Sequence, residues 1–226
     1  MALANESTPE RILSTALRLF NQFGVDRVPV YKIAAEIGIS PGNLTYHFPR
    51  KQDIIYQLID NLEAEASQVL KSKRNPGTVE LAEYLIRLFR LMWRHHFFFE
   101  SLTYLTATDE KISLSHERIR DVAQSGSVQR IQDAMAAGDI PPVEAPTTPK
   151  ILAENMWAVW VNRLSITRHA TESHDAGELV VYDCCVHHLS LIQPYATSRF
   201  ISKLHGTIKE ILRVDDETEG AISPVS

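Results

Sequence analysis

The chain has 226 residues, of which 44% are hydrophobic and 23% are charged, and this composition is ordinary for a globular protein. No segment approaches the ~20 consecutive apolar residues that a membrane-spanning helix needs, and residues 1–5 lack the charged start of a secretory signal. The two cysteines are adjacent in sequence, so they give no disulfide framework. We therefore expect a cytoplasmic protein that does not associate with membranes.

The net charge of the chain is −5, whereas proteins that bind nucleic acids are usually basic. The acidic excess falls after residue 75, and the residues before it carry nearly equal numbers of basic and acidic side chains. Any DNA affinity of the N-terminal part must therefore come from the placement of its side chains. The overall charge counts mildly against DNA binding.

The first predicted helix lies between two clear end signals. Ser7 and Glu10 have the spacing of a capping box, and Gly24 follows the last residue of the apolar stripe. Pro29 then fits the first turn of a second helix, because its φ is already set and its missing N–H is not needed there. Neither helix has a pattern that indicates catalysis.

The next segment predicts two short helices around a tight turn. Gly38 is placed where the chain must leave the first helix in a left-handed conformation, and Ser40 with Pro41 begins the second one. Leu44 and Phe48 lie four residues apart and must face inward. The opposite face is small and polar, as a DNA-reading helix in the major groove requires. A corner between two helices with a solvated polar face is the alternative interpretation.

Residues 8–70 resemble the N-terminal domain of the TetR family of bacterial transcriptional regulators. The matching residues agree in order and spacing across three helices and are Ile12, Ala16, Leu19, Phe20, Gly24, Ile33, Ala34, Gly38, Ile39, Ser40, Gly42, Asn43, Leu44, Tyr46, His47, Phe48, Pro49 and Lys51. Thr45 stands where the family very often has tyrosine, and Val28-Pro29 stands where it usually has a Ser or Thr cap. The resemblance implies a helix-turn-helix DNA-binding domain.

This resemblance implies which residues contact DNA. Asn43 is expected to read a base, since an amide can pair bidentately with adenine, and Thr45 offers a methyl or hydroxyl group beside it. Ser40 and Gly42 belong to the same surface. Contacts that position the phosphate backbone are expected from Tyr31, Lys32, Tyr46, His47 and Lys51. A solvated lysine at a helix start is the alternative interpretation of Lys51.

After residue 50, apolar residues repeat at helical spacing and no β-type alternation occurs. Helices are expected at residues 51–73, 78–102, 114–137, 150–170, 179–193 and 198–212. The predicted fold is all-α, with an N-terminal helix-turn-helix domain joined by a connecting helix to a helical ligand-binding and dimerisation domain. The predicted domains are residues 8–70 and 78–212, followed by a disordered tail at residues 213–226. The aromatic tract around Trp93 also resembles the C-terminal domain of one branch of the TetR family.

Aromatic side chains after residue 92 predict an apolar ligand cavity. Large rings at helical spacing are more often plain core, but C-terminal domains of the resembled family usually bind small molecules, which favours a cavity for the region as a whole. An arginine at its edge would hold the polar end of the ligand. The candidate residues are Trp93, Arg94, Phe97, Phe98, Tyr104, Trp157, Trp160 and Arg163.

Cys184, Cys185, His187 and His188 have helical spacings that can hold a transition metal, and a twofold dimer could complete the ligand set. Adjacent cysteines place only one sulfur inward, however, and no CxxC spacing is present. We therefore expect buried thiols beside partly exposed histidines, and no metal or other cofactor. The sequence also lacks a Gly-rich phosphate loop and the GxSxG and HExxH motifs, so we expect no catalytic residues and no enzymatic activity.

Together these features predict a ligand-responsive repressor that binds a palindromic operator in double-stranded DNA as a homodimer. Its effector is expected to be an apolar or amphipathic small molecule. Two alternatives from other classes are a helical adaptor for protein interactions and a carrier of small molecules, each having lost DNA binding. The net charge of −5 and the presence of Thr45 motivate the adaptor.

Overall fold

A computed structural model of the chain describes residues 6–70, 77–166 and 174–215. Every regular element within these ranges is a helix, which confirms the predicted all-α fold. None of these helices is long and apolar enough to span a bilayer. The predicted chain break at Pro76 and residues 216–226 of the predicted tail lie outside the described residues.

Eleven α-helices are found in the described ranges. They are α1 (Thr8–Phe23), α2 (Val30–Glu36), α3 (Pro41–His47), α4 (Lys51–Leu70), α5 (Thr78–Arg94), α6 (His96–Glu100), α7 (Leu102–Thr108), α8 (Glu110–Ala136), α9 (Pro149–Ile166), α10 (His174–Ile192) and α11 (Ser198–Leu212). Most agree with the sequence prediction to within a few residues. The exception is the long helix predicted at residues 78–102, which is divided into α5, α6 and the start of α7.

The described residues form two compact units. Within these residues, unit 1 comprises 6–64 and 95–117, and unit 2 comprises 65–70, 77–94, 118–166 and 174–215. The chain therefore passes from one unit to the other within α4, after α5 and within α8. The predicted division into residues 8–70 and 78–212 differs from this arrangement, because the sequence grouped residues 95–117 with the C-terminal domain.

Contacts with α1 explain why α6 belongs to unit 1. The backbone N–H of Phe97 donates to Asn21 Oδ1 at 3.0 Å, and the ring of Phe97 lies 5.7 Å from that of Phe20. His95, which separates α5 from α6, has φ −109° and ψ 30° and is not helical. The apolar segment at residues 78–102, which predicted one helix, therefore contributes to the cores of both units.

Within unit 1, Asp109 joins the start of α8 to the first turns of α4. Its carboxylate accepts hydrogen bonds from Gln52 Nε2 and Tyr56 Oη, both at 2.6 Å, and from the Ile112 N–H at 3.2 Å. Burial alone would raise the pKa of Asp109, but these hydrogen bonds outweigh it and the pKa is lowered. Asp109 thus acts as the cap of α8 and as a brace for the helix that follows the helix-turn-helix.

Unit 2 is built around α5, which packs against α10 and α11, while α10 also packs against α9. Phe89 on α5 is buried and meets the ring of Trp160 edge-on, with centroids 5.4 Å apart. At the end of the unit, Arg213 terminates α11 in a left-handed conformation with φ 56°, and Val214 is buried. Residues 213–215 are therefore part of the folded unit, although the sequence assigned them to a disordered tail.

We expect the substitution Asp109→Ala to lower the free energy of unfolding by about 1–3 kcal/mol, because it removes a helix cap and leaves two side-chain donors without their acceptor. Urea denaturation measures the change. Asp121→Ala is the control, because Asp121 lies on α8 and forms an exposed ion pair with Arg120 at 3.3 Å. Its substitution should lower the free energy of unfolding by less than about 0.5 kcal/mol. Equal losses in the two variants would contradict the bracing role.

Candidate nucleic-acid interface

The turn between α2 and α3 has the geometry that its residues predict. Gly38 has φ 72°, and the N–H of Ile39 reaches back to the carbonyl of Ala34 at 3.0 Å. Ser40 Oγ accepts the N–H of Asn43 at 3.1 Å, which caps α3. Glycine and the capping hydroxyl therefore determine where α2 ends and α3 begins.

Packing within unit 1 determines which side of α3 faces solvent. Leu44 is fully buried, as are Ile33 and Ala34 on α2. From α1, the Arg11 guanidinium donates to the carbonyl of Ile37 at 2.8 Å, at the end of α2. The orientation of α3 is thus fixed by an apolar contact and by a hydrogen bond to the preceding turn.

The outward face of α3 contains the residues predicted to read bases. Gly42, Asn43 and Thr45 are exposed, and Tyr46 is 83% exposed. Thr45 Oγ1 donates to the carbonyl of Gly42 at 3.1 Å, so its hydroxyl proton is used within the helix. The structure therefore brings these four residues together on one accessible surface.

The residues predicted to contact phosphates lie around this surface. Tyr31 is exposed in the first turn of α2, and the Nζ of the half-buried Lys32 lies 3.5 Å from the centroid of the Phe23 ring. At the end of α3, the half-buried His47 meets the Tyr46 ring edge-on at 5.2 Å. Their contacts with phosphate stay a prediction.

Lys51 has a structural role that the sequence did not indicate. Its Nζ donates to the carbonyl of Val25 and lies 5.7 Å from the centroid of the Phe20 ring. Burial lowers the pKa of Lys51, against the opposing effect of Asp26. The side chain is thus not a freely solvated lysine, and a phosphate contact would have to share its ammonium group with Val25.

Sequence reasoning did not single out Arg50, whose exposed guanidinium lies directly before Lys51. Its Nη2 is 2.8 Å from Asp53 Oδ1, and its backbone N–H donates to Asp53 Oδ2 at 2.9 Å. Hydrogen bonding from Arg50 lowers the pKa of Asp53, against the opposing effect of burial. Its place beside Lys51 in the matched motif was the signal that could have identified this exposed cation.

Three residues predicted to line a ligand pocket lie in unit 1. Phe97 and Phe98 are buried, and the Phe98 ring lies 5.3 Å from that of Phe99. Tyr104 is exposed. These contacts place Phe97 and Phe98 in the core of unit 1, which is the alternative that the aromatic pattern left open.

The other five predicted pocket residues lie in unit 2, where the two arginines form ion pairs. Arg94 Nη1 lies 2.6 Å from Glu65, and the Arg163 guanidinium bonds to Asp183. Trp93 is half-buried, and Trp157 and Trp160 are buried. Because both guanidinium groups have carboxylate partners, neither is available to hold a ligand without giving up an ion pair.

Unit 2 contains a cavity of ≈ 40 Å³ that includes Trp160 among its lining residues and none of the other seven predicted pocket residues. Most of its lining is apolar and comes from α5, α8, α9, α10 and α11. Its polar members are Tyr84, Ser127, Arg130, Trp160 and His188. The sequence did not indicate Tyr84, Ser127 or Arg130 as pocket residues, and it indicated His188 only as a possible metal ligand. These four residues come from three different helices, so no local sequence pattern groups them.

The segment of adjacent cysteines and histidines on α10 divides between two environments. Both thiols are buried, and burial raises the pKa of Cys184 to about 12 and that of Cys185 well above its usual value. His188 is buried next to the rings of Phe89 and Trp160, while His187 lies 3.6 Å from Asp183. Within the described part of the chain, no three potential ligands come together at a position that could hold a metal ion.

Comparisons with known proteins match two successive regions of the chain to one family. Residues 12–58 match the family described as bacterial regulatory proteins, tetR family, and residues 61–204 match the TetR family described as bacterial transcriptional repressor. A search of curated proteins gave no match. The second matched region alone covers more than half of the chain.

Solved structures of similar fold extend over most of the chain. A TetR-family transcriptional regulator from Marinobacter aquaeolei VT8 is 26% identical, with a TM-score of 0.76 over 91% of this chain and 98% of that one. The ketosteroid transcriptional regulator KstR2 of Mycobacterium tuberculosis is 16% identical, with a TM-score of 0.61 over 86% and 97%. SmeT, the repressor of the Stenotrophomonas maltophilia multidrug efflux pump SmeDEF, is 18% identical, with a TM-score of 0.57 over 86% and 93%. With its helix-turn-helix and both matched regions, this chain belongs to the TetR family of bacterial transcriptional regulators.

Proposed function

We propose that this protein is a repressor that binds a palindromic operator as a homodimer and is released by a small-molecule effector. Gly42 on the outward face of α3 is the observation that carries the DNA-binding part. A Cβ at Gly42 would meet nothing nearer than Ser40 Oγ, at 3.9 Å, so the protein's own packing does not require glycine there. Glycine within a helix is destabilising, and close approach of an external surface explains its presence.

Base reading is proposed for Asn43, whose exposed amide stands beside Gly42 on the first turn of α3. Thr45 offers its methyl group to the same groove, since its hydroxyl donates within the helix. Phosphate contacts are proposed for Ser40, Tyr31, Lys32, Tyr46, His47, Lys51 and the neighbouring Arg50. Polar and aromatic side chains predominate in this set, which suits a domain whose basic and acidic residues are nearly balanced.

A dimer is proposed because one helix-turn-helix contacts too few base pairs for a specific operator, whereas two reading helices about 34–36 Å apart meet successive major grooves. The proposed interface is formed by α9 and α10, which pack against each other in unit 2. Each helix exposes an apolar side chain, Ile151 on α9 and Val186 on α10. Twofold pairing of these helices would remove that surface from water.

The effector is proposed to bind the cavity of unit 2 and to act through α8. This helix contributes Ser127 and Arg130 to the cavity lining, and at its other end Asp109 caps it and bonds to α4. Since α8 is continuous from Glu110 to Ala136, it gives a covalent route from the cavity to the helix after the helix-turn-helix. The repressor role is supported by the description of the matched family and by the similarity to SmeT.

Selection of bound DNA from random duplexes tests the function as a whole. Enrichment of a palindrome with half-sites one helical turn apart is expected. No enrichment above that of the unselected pool would contradict the regulator and favour an adaptor or a carrier.

With the selected operator, Asn43→Ala should weaken specific binding by about 1–3 kcal/mol and leave binding to random DNA nearly unchanged. Lys51→Ala is the contrasting variant, because loss of a phosphate contact should weaken both kinds of binding and reduce the salt dependence. Fluorescence anisotropy at several salt concentrations measures both effects. An equal loss on specific and random DNA for Asn43→Ala would remove its base-reading role.

Gly42→Ala should have opposite effects on stability and on DNA binding. The free protein should become more stable by up to about 1 kcal/mol, because alanine favours the helix and its Cβ has space. Operator binding should weaken by about 1–3 kcal/mol, because the methyl group enters a closely packed interface. Gly206→Ala on α11 is the matched control, since nothing lies within 4 Å of its added Cβ, and it should change stability alone. Unchanged operator binding by Gly42→Ala would exclude close approach there.

Sedimentation should find a dimer at micromolar concentration. Val186→Lys should shift it towards monomer, because a charge would be buried at the proposed interface. Val79→Lys is the control, since Val79 is also an exposed apolar residue of unit 2 but lies on α5. A wild-type monomer, or equal effects of the two variants, would contradict the proposed interface.

A further inference from the structure

We propose that the cavity of unit 2 binds a compact, mainly apolar molecule with one uncharged oxygen acceptor, as in a ketone, which accepts hydrogen bonds from two of the side chains of Tyr84, Trp160 and His188. The inference deepens the proposed function and rests on it for the role of this molecule as effector. Binding itself is a property of unit 2 and does not involve DNA.

Three buried polar atoms belong to side chains that line this cavity, each from a different helix. They are Tyr84 Oη from α5, Trp160 Nε1 from α9 and His188 Nδ1 from α10, and none has a hydrogen-bond partner in the described part of the chain. The side chains are 4%, 2% and 7% exposed, respectively. The rings of Trp160 and His188 lie side by side, with centroids 5.5 Å apart. Buried polar groups are nearly always paired, so three unpaired ones at one cavity indicate a partner from outside the chain.

The chemistry of these atoms defines the group that would satisfy them. The indole N–H of Trp160 can only donate, and the hydroxyl of Tyr84 can donate. The Nδ1 of neutral His188 donates or accepts according to its tautomer. A carbonyl oxygen has two lone pairs and can therefore accept from two of these groups at once. An oxygen acceptor is thus the complementary group.

The remaining lining favours a ligand without charge. Burial lowers the pKa of His188 to about 4, so the imidazole is neutral at pH 7 and offers no charge to an anion. The Arg130 guanidinium lies 3.3 Å from the centroid of the Tyr84 ring, and its Nη1 donates to the Gly126 carbonyl at 3.3 Å. Among the described lining residues there is no carboxylate to pair with a cation. A charged ligand would therefore be desolvated without a dedicated partner.

The volume of the cavity limits the size of the ligand. One water molecule needs about 10–15 Å³, so a cavity of ≈ 40 Å³ has room for about three or four non-hydrogen atoms, well below the ~150 Å³ of a cavity that binds benzene. The apolar side chains around it, among them Leu85, Ile131 and Met156, match a hydrocarbon body. A large polar ligand would not suit this site.

A matched pair of probes tests the acceptor directly. Acetone and isobutene each have four non-hydrogen atoms and nearly the same shape, and they differ in that acetone has a C=O group where isobutene has a C=CH₂ group. In ligand-observed NMR titrations of the full chain, we expect the ketone to bind about two- to tenfold more tightly, as one or two hydrogen bonds provide. Isopropylammonium and acetate, which also have four non-hydrogen atoms each, should bind more weakly than the ketone. Equal binding of the two isosteres, tighter binding of either ion, or no saturable ketone binding would overturn the proposal.

Tyr84→Phe separates a ligand-binding role from a structural one. It removes only the hydroxyl and keeps the ring against Arg130, so ketone binding should weaken about two- to tenfold while isobutene binding is unchanged. The melting temperature of the free protein should rise, because a buried hydroxyl without a partner is removed. Tyr195→Phe, in the same unit but outside the cavity lining, is the control and should alter neither affinity. A lower melting temperature with equal weakening of both probes would identify Tyr84 as a core residue and overturn the assignment.

This assay and the DNA selection fail independently. Ketone-selective binding by a protein that enriches no operator would contradict the regulator and support the ligand site. An enriched operator together with no preference for the ketone would support the regulator and overturn this ligand class.

Discussion

Burial of Leu44 against the other helices of unit 1 determines the orientation of α3, and the proposed DNA contacts depend on that orientation. Leu44 is fully buried in the core, so the residues on the opposite side of this seven-residue helix must face solvent. Gly38 and Ser40 set the start of α3, and the hydrogen bond from Arg11 holds the end of α2. A rotation of α3 by one residue would bury Asn43 or Thr45, and the apolar contact of Leu44 opposes such a rotation.

Unit 1 extends beyond the three helices that the family motif covers. Asn21 holds α6, and Asp109 connects α8 to the first turns of α4. The helix after the helix-turn-helix therefore has polar partners whose positions depend on the start of α8. The same helix, α8, also contributes Ser127 and Arg130 to the cavity lining of unit 2. One continuous helix therefore has residues in both units. A change in ligand state is communicated only if the ligand binds one arrangement of that helix better than another.

Two kinds of residue in this protein oppose the stability of the free chain. Gly42 lowers helix propensity at a position where a larger residue has space, and Tyr84, Trp160 and His188 each bury a polar atom without a partner in the described chain. Neither feature is explained by packing. Local departures from the rules of stability are expected at functional sites, where the compensating interaction is made with another molecule.

The sequence by itself determined most of the helices, the turn at Gly38, the cap at Ser40 and the exposed face of α3, because periodicity, capping and left-handed glycines are properties of a few consecutive residues. Only the tertiary structure decided that Phe97 belongs to the core of unit 1 and that Lys51 bonds to Val25, since both depend on which distant segments pack together. The cavity is the clearest case. Its polar atoms come from separate helices, and the side chains that meet there are chosen by the packing of α5, α8, α9 and α10, which no local pattern encodes.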